Sequence, residues 1–424
     1  MRALARRIAP IISRGDTERA KRLTRCATLG YAIYLPAVSF AQFTTSETPA
    51  LLQALLIVFL LTAANASWRV FLAAGLLAGT LVLTRPSLLP LLVFLPAATV
   101  FRGSTPRRLR HALIFVLTGS AVVGAAVVRN WWVAGELTVA RNSAYNLYIG
   151  NRDLYAEDLN LFSPLATTGQ LEFRRQYWSG QLPFPTQAPD ELQREALAWI
   201  GTHPDVFARR AVGRLARVFA PKTDVLELVG GERRFGSFSP VSLALLGVAN
   251  AQWVVVLFGG VVGLASLWRL APSVGAPFVS TVLGSLPLCL VAISKPRYAF
   301  VFEPLLLLGA AVFFTAPRQT LSAICRVERR VVILITVFLL WGWAAWMIFA
   351  VSSRLALANV LTDGGGALRV TSMTLDKFCV RVWHKPNAVA TLTRGSYQHT
   401  FLSNADGSRE VNDYDSRGQS VSSS

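Results

Sequence analysis

The chain has 424 residues, of which 53% are hydrophobic and only 15% are charged, and its formal net charge is +19. About a quarter of the residues of a soluble domain are charged, so this composition excludes an ordinary soluble protein. A strongly basic chain can bind nucleic acid. Here, however, the cations cluster between apolar blocks, as the positive-inside rule requires of cytoplasmic loops. We therefore expect the lipid bilayer, and no nucleic acid, as the partner of this charge.

Nine apolar blocks approach the length of about 20 residues that a helix needs to cross a bilayer. They are residues 28–43, 49–64, 70–83, 88–100, 112–128, 241–268, 276–294, 300–316 and 331–351. The first four are shorter than a full span. The predicted fold class is an all-α polytopic membrane protein of about nine transmembrane helices, with an α-rich outer loop region and a small C-terminal β segment.

Clusters of Lys and Arg precede the first block, separate the fourth from the fifth, and separate the eighth from the ninth. With nine spans these clusters share one side, which the positive-inside rule places in the cytoplasm. The N-terminus is then inside and the C-terminus outside. The expected organisation is a basic cytoplasmic segment (1–27), helices 1–5 (28–128), an outer loop region (129–240), helices 6–9 (241–351), a small outer β domain (352–403) and a disordered tail (404–424).

The outer regions have patterns of their own. Alternation over residues 378–383 predicts a strand, with residues 369–375 and 388–394 as its partners. Residues 191–200 predict a helix, and Pro204 begins another. The second helix has an apolar face (Phe207, Ala211, Leu215, Val218) and a basic one (Arg210, Arg214, Arg217). It either lies at the membrane interface against anionic head groups or borders the access route of an anionic lipid substrate.

Ionisable residues in or beside spans are costly and therefore mark candidate sites. Glu47 lies between the first two spans, Arg85 between the third and fourth, and Lys295 and Arg297 between the seventh and eighth, whereas Glu303 lies inside the eighth. All but Glu303 fall on the outer side. An acid beside several cations suits group transfer from a phosphate-linked lipid. Cations neutralise the leaving phosphate, and a carboxylate serves as base or metal ligand.

Simpler interpretations stay open for the same residues. Arg85, Lys295 and Arg297 also fit anchors that extend to lipid phosphates. Glu47 also fits a first-turn residue that favours the dipole of the second span. Glu303 more readily caps or packs beside its neighbouring proline than it performs chemistry. The four cysteines and four histidines show neither a disulfide framework nor metal-ligand spacing.

Short motifs in one order resemble the membrane glycosyltransferases that use polyprenyl-phosphate sugars. That class includes protein O-mannosyltransferases and the aminoarabinose transferase of lipid A. The resemblance covers residues 15–315, and its most distinctive string is Asn-Leu-Tyr-Ile-Gly-Asn at 146–151. The motifs are Ser46-Glu47, Leu83-Thr84-Arg85-Pro86, Arg129-Asn130-Trp131-Trp132, residues 145–151, Ala198-Trp199-Ile200 with His203-Pro204, and Arg297-Tyr298 with Glu303-Pro304.

The resemblance implies an inverting transfer from a polyprenyl-phosphate sugar at the outer face of a bacterial inner membrane. It places Glu47 near the catalytic centre and Arg297 and Tyr298 near the donor phosphate. The expected substrate-binding residues are Arg85, Asn146, Tyr148, Asn151, Lys295, Arg297 and Tyr298. The cofactor is unknown, and a divalent metal beside the carboxylate stays open.

Proteins of that class carry their main catalytic acid in an outer loop after the very first span, and this sequence begins beyond that point. We expect a start further upstream, a remnant, or a partner chain that supplies the missing N-terminal part. Two other functions stay open. A lipid-linked glycan transporter or flippase would need charged residues at mid-span, which these blocks nearly lack. A non-catalytic subunit of a transferase would not need the acidic loop.

Overall fold

The computed structural model describes residues 1–13, 15–41, 46–63, 67–100, 106–140, 142–152, 159–165, 187–222, 240–324 and 326–362, and six short strands between residues 369 and 421. Up to residue 362, the described part is built from α-helices and short 3-10 turns. An α-helical membrane protein is the expected consequence of long apolar segments, because a helix satisfies its backbone hydrogen bonds internally.

The α-helices of the described part are numbered in chain order. They are α1 Arg2–Ser13, α2 Thr17–Ala32, α3 Leu35–Ala41, α4 Glu47–Leu61, α5 Trp68–Thr84, α6 Leu91–Val100, α7 Pro106–Ala134, α8 Asn142–Asn151, α9 Pro189–Thr202, α10 Pro204–Val218, α11 Pro240–Leu270, α12 Pro272–Gly284, α13 Pro287–Val291, α14 Glu303–Thr315, α15 Pro317–Ala323 and α16 Arg326–Thr362. Two 3-10 turns, Pro86–Leu88 and Pro296–Val301, complete the helical part.

Four helical segments of the described residues are long and apolar enough to cross a membrane: Pro106–Ala134, Leu243–Leu270, Pro272–Val291 and Glu328–Ala350. A fifth is counted if α14 and α15, which meet at a bend of 108°, form one broken span. Helices α4 and α5 are apolar but shorter. At 1.5 Å per residue, the 15 residues of α4 extend about 22 Å, less than the bilayer core of about 30 Å. Nine spans therefore stay a proposal.

The first expected span, residues 28–43, is not one continuous helix. Helix α2 ends at Ala32 and α3 begins at Leu35. Pro36 lies in the first turn of α3, where its missing N–H group costs nothing. The backbone N–H of Leu35 instead donates to the side-chain oxygen of Gln252 in α11, at 2.9 Å. The composition indicated one apolar segment at residues 28–43, but it could not show that the helix is interrupted between Ala32 and Leu35.

Two helix pairs approach closely through glycine. In α11, a Cβ atom on Gly260 would lie 2.7 Å from the carbonyl oxygen of Leu306, and one on Gly263 would overlap the carbonyl of Gly309 in α14. In α5, a Cβ atom on Gly79 would lie 2.8 Å from the carbonyl oxygen of Gly119 in α7. Small residues at such contacts let membrane helices pack backbone to backbone.

Six strands follow α16. They are β1 Arg369–Val370, β2 Val382–Trp383, β3 Ala388–Arg394, β4 Tyr397–Ser403, β5 Arg409–Tyr414 and β6 Ser420–Val421, paired antiparallel as β1–β2 and as β3–β4–β5–β6. Most of the expected strand 378–383 lies outside the described residues. A folded outer β domain stays a prediction, as does disorder over 404–424, a range that includes β5 and β6.

Candidate functional site

Three segments that are distant in sequence meet at one end of the helices. Helix α4 begins with Glu47, and α5 is followed directly by Arg85. The 3-10 turn before α14 carries Arg297 and Tyr298. The sequence analysis expected these side chains to converge on one side, and the structure brings all four together.

Proline positions two of these segments. Arg85 precedes Pro86 and Lys295 precedes Pro296, and both residues adopt extended backbone conformations (φ −146°, ψ 93° and φ −140°, ψ 151°). The proline ring disfavours the helical conformation of the residue before it. Arg85 therefore ends α5, whereas the chain leaves α13 at Ala292 and Lys295 is the extended residue before the 3-10 turn. The site is built from residues that follow a helix or precede the next one.

The carboxylate of Glu47 is shared by two guanidinium groups. Its Oε1 atom lies 2.8 Å from Nη1 of Arg85 and 3.4 Å from Nε of Arg297. The guanidinium carbon of Arg85 also lies 4.7 Å from the centre of the Tyr298 ring, within the range of a cation–π contact. One carboxylate and two guanidiniums leave the cluster with a net positive charge, so it suits an anionic ligand.

The two cations differ in accessibility. The side chains of Arg85 and Glu47 are 8% and 5% exposed, whereas that of Arg297 is 40% exposed. Arg85 is thus enclosed between Glu47 and Tyr298. Arg297 touches the carboxylate through its Nε atom and keeps much of its side chain open to an approaching ligand. A guanidinium can bind a phosphate through two parallel hydrogen bonds.

Tyr298 contributes a phenol to the cluster. Burial raises its pKa, while the guanidinium groups of Arg85 and Arg297 act in the opposite direction. A phenol with the usual pKa near 10 is already protonated at neutral pH, and the raised pKa of Tyr298 keeps it so at higher pH. It can therefore donate a hydrogen bond to an anionic oxygen.

The other expected substrate-binding residues lie beside this cluster or behind it. Lys295 is half-buried at the start of the same turn. Asn146, Tyr148 and Asn151 lie on α8, which packs against the chain just before that turn. The backbone N–H of Ile293 donates to the carbonyl oxygen of Asn146 at 3.3 Å. Substrate binding by these α8 residues stays a prediction.

Asn151 is fully buried and hydrogen bonds within the chain. Its side-chain amide donates to the carbonyl oxygens of Leu147 at 2.7 Å and Val291 at 2.9 Å. Its side-chain oxygen accepts from Arg214 at 2.8 Å, and its backbone carbonyl accepts from Arg210 at 2.8 Å. These contacts tie the end of α8 to α10 and α13.

Arg214 fastens α10 to the segment that leads into the site. Its guanidinium donates to the carbonyl oxygens of Leu290 at 2.7 Å and Val291 at 3.1 Å, at the end of α13, and to that of Gly150. The last carbonyls of a helix have no partner inside the helix, so a cation there satisfies them. The hydroxyl of Ser294 donates back to the carbonyl of Arg214 at 2.8 Å.

The interface interpretation of α10 is therefore wrong for two of its three arginines. Arg210 and Arg214 are buried, and Arg210 packs over the ring of Trp199, 4.6 Å from its centre. Apolar and basic faces in one short helix suggested contact with lipid head groups. Arg210 and Arg214 instead donate hydrogen bonds to backbone carbonyls of neighbouring elements. Only the tertiary structure shows that these carbonyls need a donor.

A second buried ion pair, between Lys222 and Glu303, lies behind the site. The sequence analysis singled out Glu303 but not Lys222. Nζ of Lys222 lies 2.5 Å from Oε1 of Glu303, and both side chains are 1% exposed. The same ammonium donates to the carbonyl oxygen of Pro296 at 3.3 Å and lies 4.1 Å from the ring centre of Trp253. A glutamate inside an apolar block requires a cationic partner. The position of Glu303 therefore indicated that a buried cation exists, although it did not identify that cation as Lys222.

No group of three or more His, Cys, Asp or Glu residues able to hold a metal ion occurs among the described residues. Within that part of the chain, Glu47 is shared by arginines rather than by further carboxylates. Comparison of the chain with models of protein families, with curated proteins and with solved structures finds no match. The resemblance to polyprenyl-phosphate-sugar transferases therefore rests on the sequence motifs.

Proposed function

We propose that this protein is a membrane glycosyltransferase that transfers a sugar from a polyprenyl-phosphate donor to an acceptor at the outer face of a bacterial inner membrane. One observation carries the proposal. Glu47, Arg85, Arg297 and Tyr298, which come from three separate segments, form one positively charged cluster. Nine spans, with the N-terminus inside and the C-terminus outside, complete the proposed topology.

Arg297 is the residue proposed to bind the donor phosphate. Its side chain is the most exposed of the three ion-paired residues of the cluster, and its guanidinium geometry matches a phosphate. Tyr298, whose phenol is protonated at neutral pH, supplies a further donor. Arg85 and Glu47 act behind them as positioning residues, because both are buried and paired with each other.

The proposed reaction places charge where these donors lie. In an inverting transfer, the acceptor hydroxyl oxygen bonds to the anomeric carbon as the bond from that carbon to the donor phosphate breaks. The phosphate leaves with the electron pair, and the hydroxyl proton passes to a base. Pre-positioned cations stabilise the charge that develops on the phosphate. Glu47 as that base, or as a ligand of a divalent metal, stays a prediction.

The test is donor binding by the purified protein in lipid nanodiscs. Arg297→Gln removes a charge-assisted contact worth about 1.5–3 kcal/mol, so we expect a polyprenyl-phosphate sugar to bind about 10- to 100-fold more weakly. Arg209→Gln is the matched control, because Arg209 lies on α10 with its side chain 75% exposed. Equal donor affinity of wild type and Arg297→Gln would favour lipid anchoring and overturn the proposal.

Sugar transfer separates the remaining functions. A transferase consumes the donor and releases polyprenyl phosphate when an acceptor hydroxyl is present. A lipid-linked glycan transporter moves the intact donor between the leaflets of a proteoliposome. A non-catalytic subunit binds the donor and does neither. The first outcome supports the proposal, and either of the others contradicts it.

A further inference from the structure

The N-terminal helices form a basic groove far from the Glu47 cluster. Helices α1 and α2 pack side by side and enclose a groove of about 660 Å³. Four cations line it: Arg2 and Arg6 from α1, and Lys21 and Arg25 from α2. Pro10, Leu29 and two threonines supply further parts of the lining.

The sequence folds this hairpin for identifiable reasons. Gly15 has a φ of +93°, a conformation that favours glycine, and lets the chain reverse between the helices. Asp16 then caps α2 by accepting from the backbone N–H of Arg19 at 3.0 Å. Leu4, Ile8 and other apolar residues of α1 are buried in the helix bundle. The polar side of α1 therefore remains beside α2, where its arginines join those of α2.

The charge of the groove is largely uncompensated. Glu18 pairs with Lys21 at 2.7 Å. Within the described part of the chain, no carboxylate lies within ion-pair distance of Arg2, Arg6 or Arg25. These side chains are exposed and converge on a concave surface. A concave, multiply cationic surface attracts an anion with several oxygens.

The groove lies at the opposite end of the helices from the candidate active site. Arg7 of α1 stacks on Phe59, 3.8 Å from its ring centre, and donates to the Phe59 carbonyl. Phe59 is in the last turn of α4, and Glu47 is at the start of α4. The 15 residues of α4 extend about 22 Å, so the groove lies beside the end of α4 that is opposite to the Glu47 cluster.

We propose that this groove binds the phosphate head group of an anionic phospholipid. Leu29, next to the cations in the lining, is 62% exposed and offers apolar contact to an acyl chain. A soluble anion would use the cations but not this exposed apolar surface, and a lipid uses both. Basic segments beside a membrane span recognise anionic lipids in this manner.

The experiment uses the full chain in detergent and measures binding of phosphatidylglycerol and phosphatidylcholine by native mass spectrometry. The test variant is Arg6→Gln/Arg25→Gln. The matched control is Arg107→Gln/Arg110→Gln, which removes two cations from the basic start of α7. We expect phosphatidylglycerol affinity to fall about 10-fold or more in the test variant and to persist in the control.

Each other outcome overturns the proposal. If wild type shows no preference for phosphatidylglycerol, or if both double variants lose affinity equally, the groove is not a specific lipid site. If inorganic phosphate displaces phosphatidylglycerol at equal concentration, the ligand is a soluble anion rather than a lipid. Thermal unfolding in phosphatidylcholine tests whether the variants fold. We expect it to be unchanged, because the substituted residues Arg6, Arg25, Arg107 and Arg110 are exposed.

Discussion

Glu47 forms ion pairs with Arg85 and Arg297, and these contacts predict how the loss of its charge changes the stability of the protein. In Glu47→Gln, Arg85 stays buried without its anion, so we expect unfolding to become easier by about 3–5 kcal/mol, the usual cost of breaking a buried pair. The double variant Glu47→Gln/Arg85→Gln removes both charges and should recover a large part of that loss. Denaturant unfolding in a defined detergent measures both. Wild-type stability of Glu47→Gln would contradict this account.

Kinetics of the same variant separate two roles for the carboxylate. A positioning residue acts through Arg297, so Glu47→Gln should weaken donor binding. A general base acts on the acceptor, so its loss should lower transfer by about 10²-fold or more at unchanged donor affinity. From the contacts of Glu47 we expect the first result. Transfer at the wild-type rate with wild-type donor affinity would exclude both roles.

The Lys222–Glu303 pair gives a second prediction for single residues. Lys222→Met leaves Glu303 buried without its cation, so we expect a loss of about 3–5 kcal/mol in unfolding free energy. Lys222→Met/Glu303→Gln should be closer to wild type, because no unpaired charge remains buried. Thermal unfolding of the three proteins under one condition measures this coupling. Additive losses in the double variant would show that the two residues do not act as a pair.

Sequence analysis found the Glu47 cluster and missed Lys222 for a physical reason. Glu47, Arg85 and Arg297 adjoin apolar blocks, so their positions in the sequence marked them as candidates, and the structure shows that their side chains meet. Lys222 lies in the long hydrophilic region at residues 129–240, where a lysine needs no explanation. Its partner Glu303 is 81 positions away, and only the packing of α10, α11 and α14 brings the two together.

Helix α10 shows how an element can be predicted correctly while its contacts are not. Its start at Pro204 and its two faces follow from the sequence, and the structure contains this helix. The burial of Arg210 and Arg214 depends on unpaired carbonyls at the end of α13 and on the end of α8. Such acceptors belong to other elements and leave no trace in the periodicity of α10.

Arg214 is therefore expected to stabilise the segment that leads to Arg297. Arg214→Gln removes donors to three carbonyls and to Asn151, and we expect exchange of backbone amides over residues 287–294 to accelerate by about 10-fold or more. Arg209→Gln, on an exposed turn of the same helix, is the control. Unchanged exchange in Arg214→Gln would show that packing, rather than these hydrogen bonds, fixes the segment.

The contact between α11 and α14 gives a prediction with an internal control. Gly263→Ala places a methyl group against the carbonyl of Gly309, so overpacking should cost about 1–3 kcal/mol. Gly247 lies in the same helix with nothing within 4 Å of an added Cβ. Gly247→Ala should be neutral or stabilising by up to about 1 kcal/mol, because alanine favours the helix. Thermal unfolding compares them, and equal effects would exclude close packing as the cause.

At the scale of the whole molecule, composition predicted a helical membrane protein but left the number of spans unsettled. The block at residues 28–43 is divided between α2 and α3. The block at 276–294 is divided between α12 and α13, yet the segment Pro272–Val291 is still long enough to cross as one span. Prolines that begin new helices make these divisions. The described helices supply four or five spans by length, so nine are present only if residues 28–43, α4, α5 and the segment Pro86–Ala98 also cross the membrane.

Reporter fusions test the proposed topology of the whole chain. Fusions after residues 105 and 322 should report the cytoplasm, because both follow or interrupt basic clusters. Fusions after residues 170 and 410 should report the outer side. A cytoplasmic signal at residue 170 would contradict the proposed outer location of residues 129–240 and, with it, the proposed outer location of the Glu47 cluster. Expression of each fusion at a comparable level is the control.

The separation of Lys222 from Glu303 also has a consequence for biogenesis. The ribosome delivers Lys222 before the membrane helices α11, α12 and α14, and Glu303 arrives at the head of α14. A carboxylate is costly inside the bilayer until a cation meets it. Docking of α14 against α11 supplies that cation, since Lys222 lies against Trp253 of α11. If α14 enters the bilayer, we therefore expect its insertion to be coupled to its assembly with the helices already synthesised.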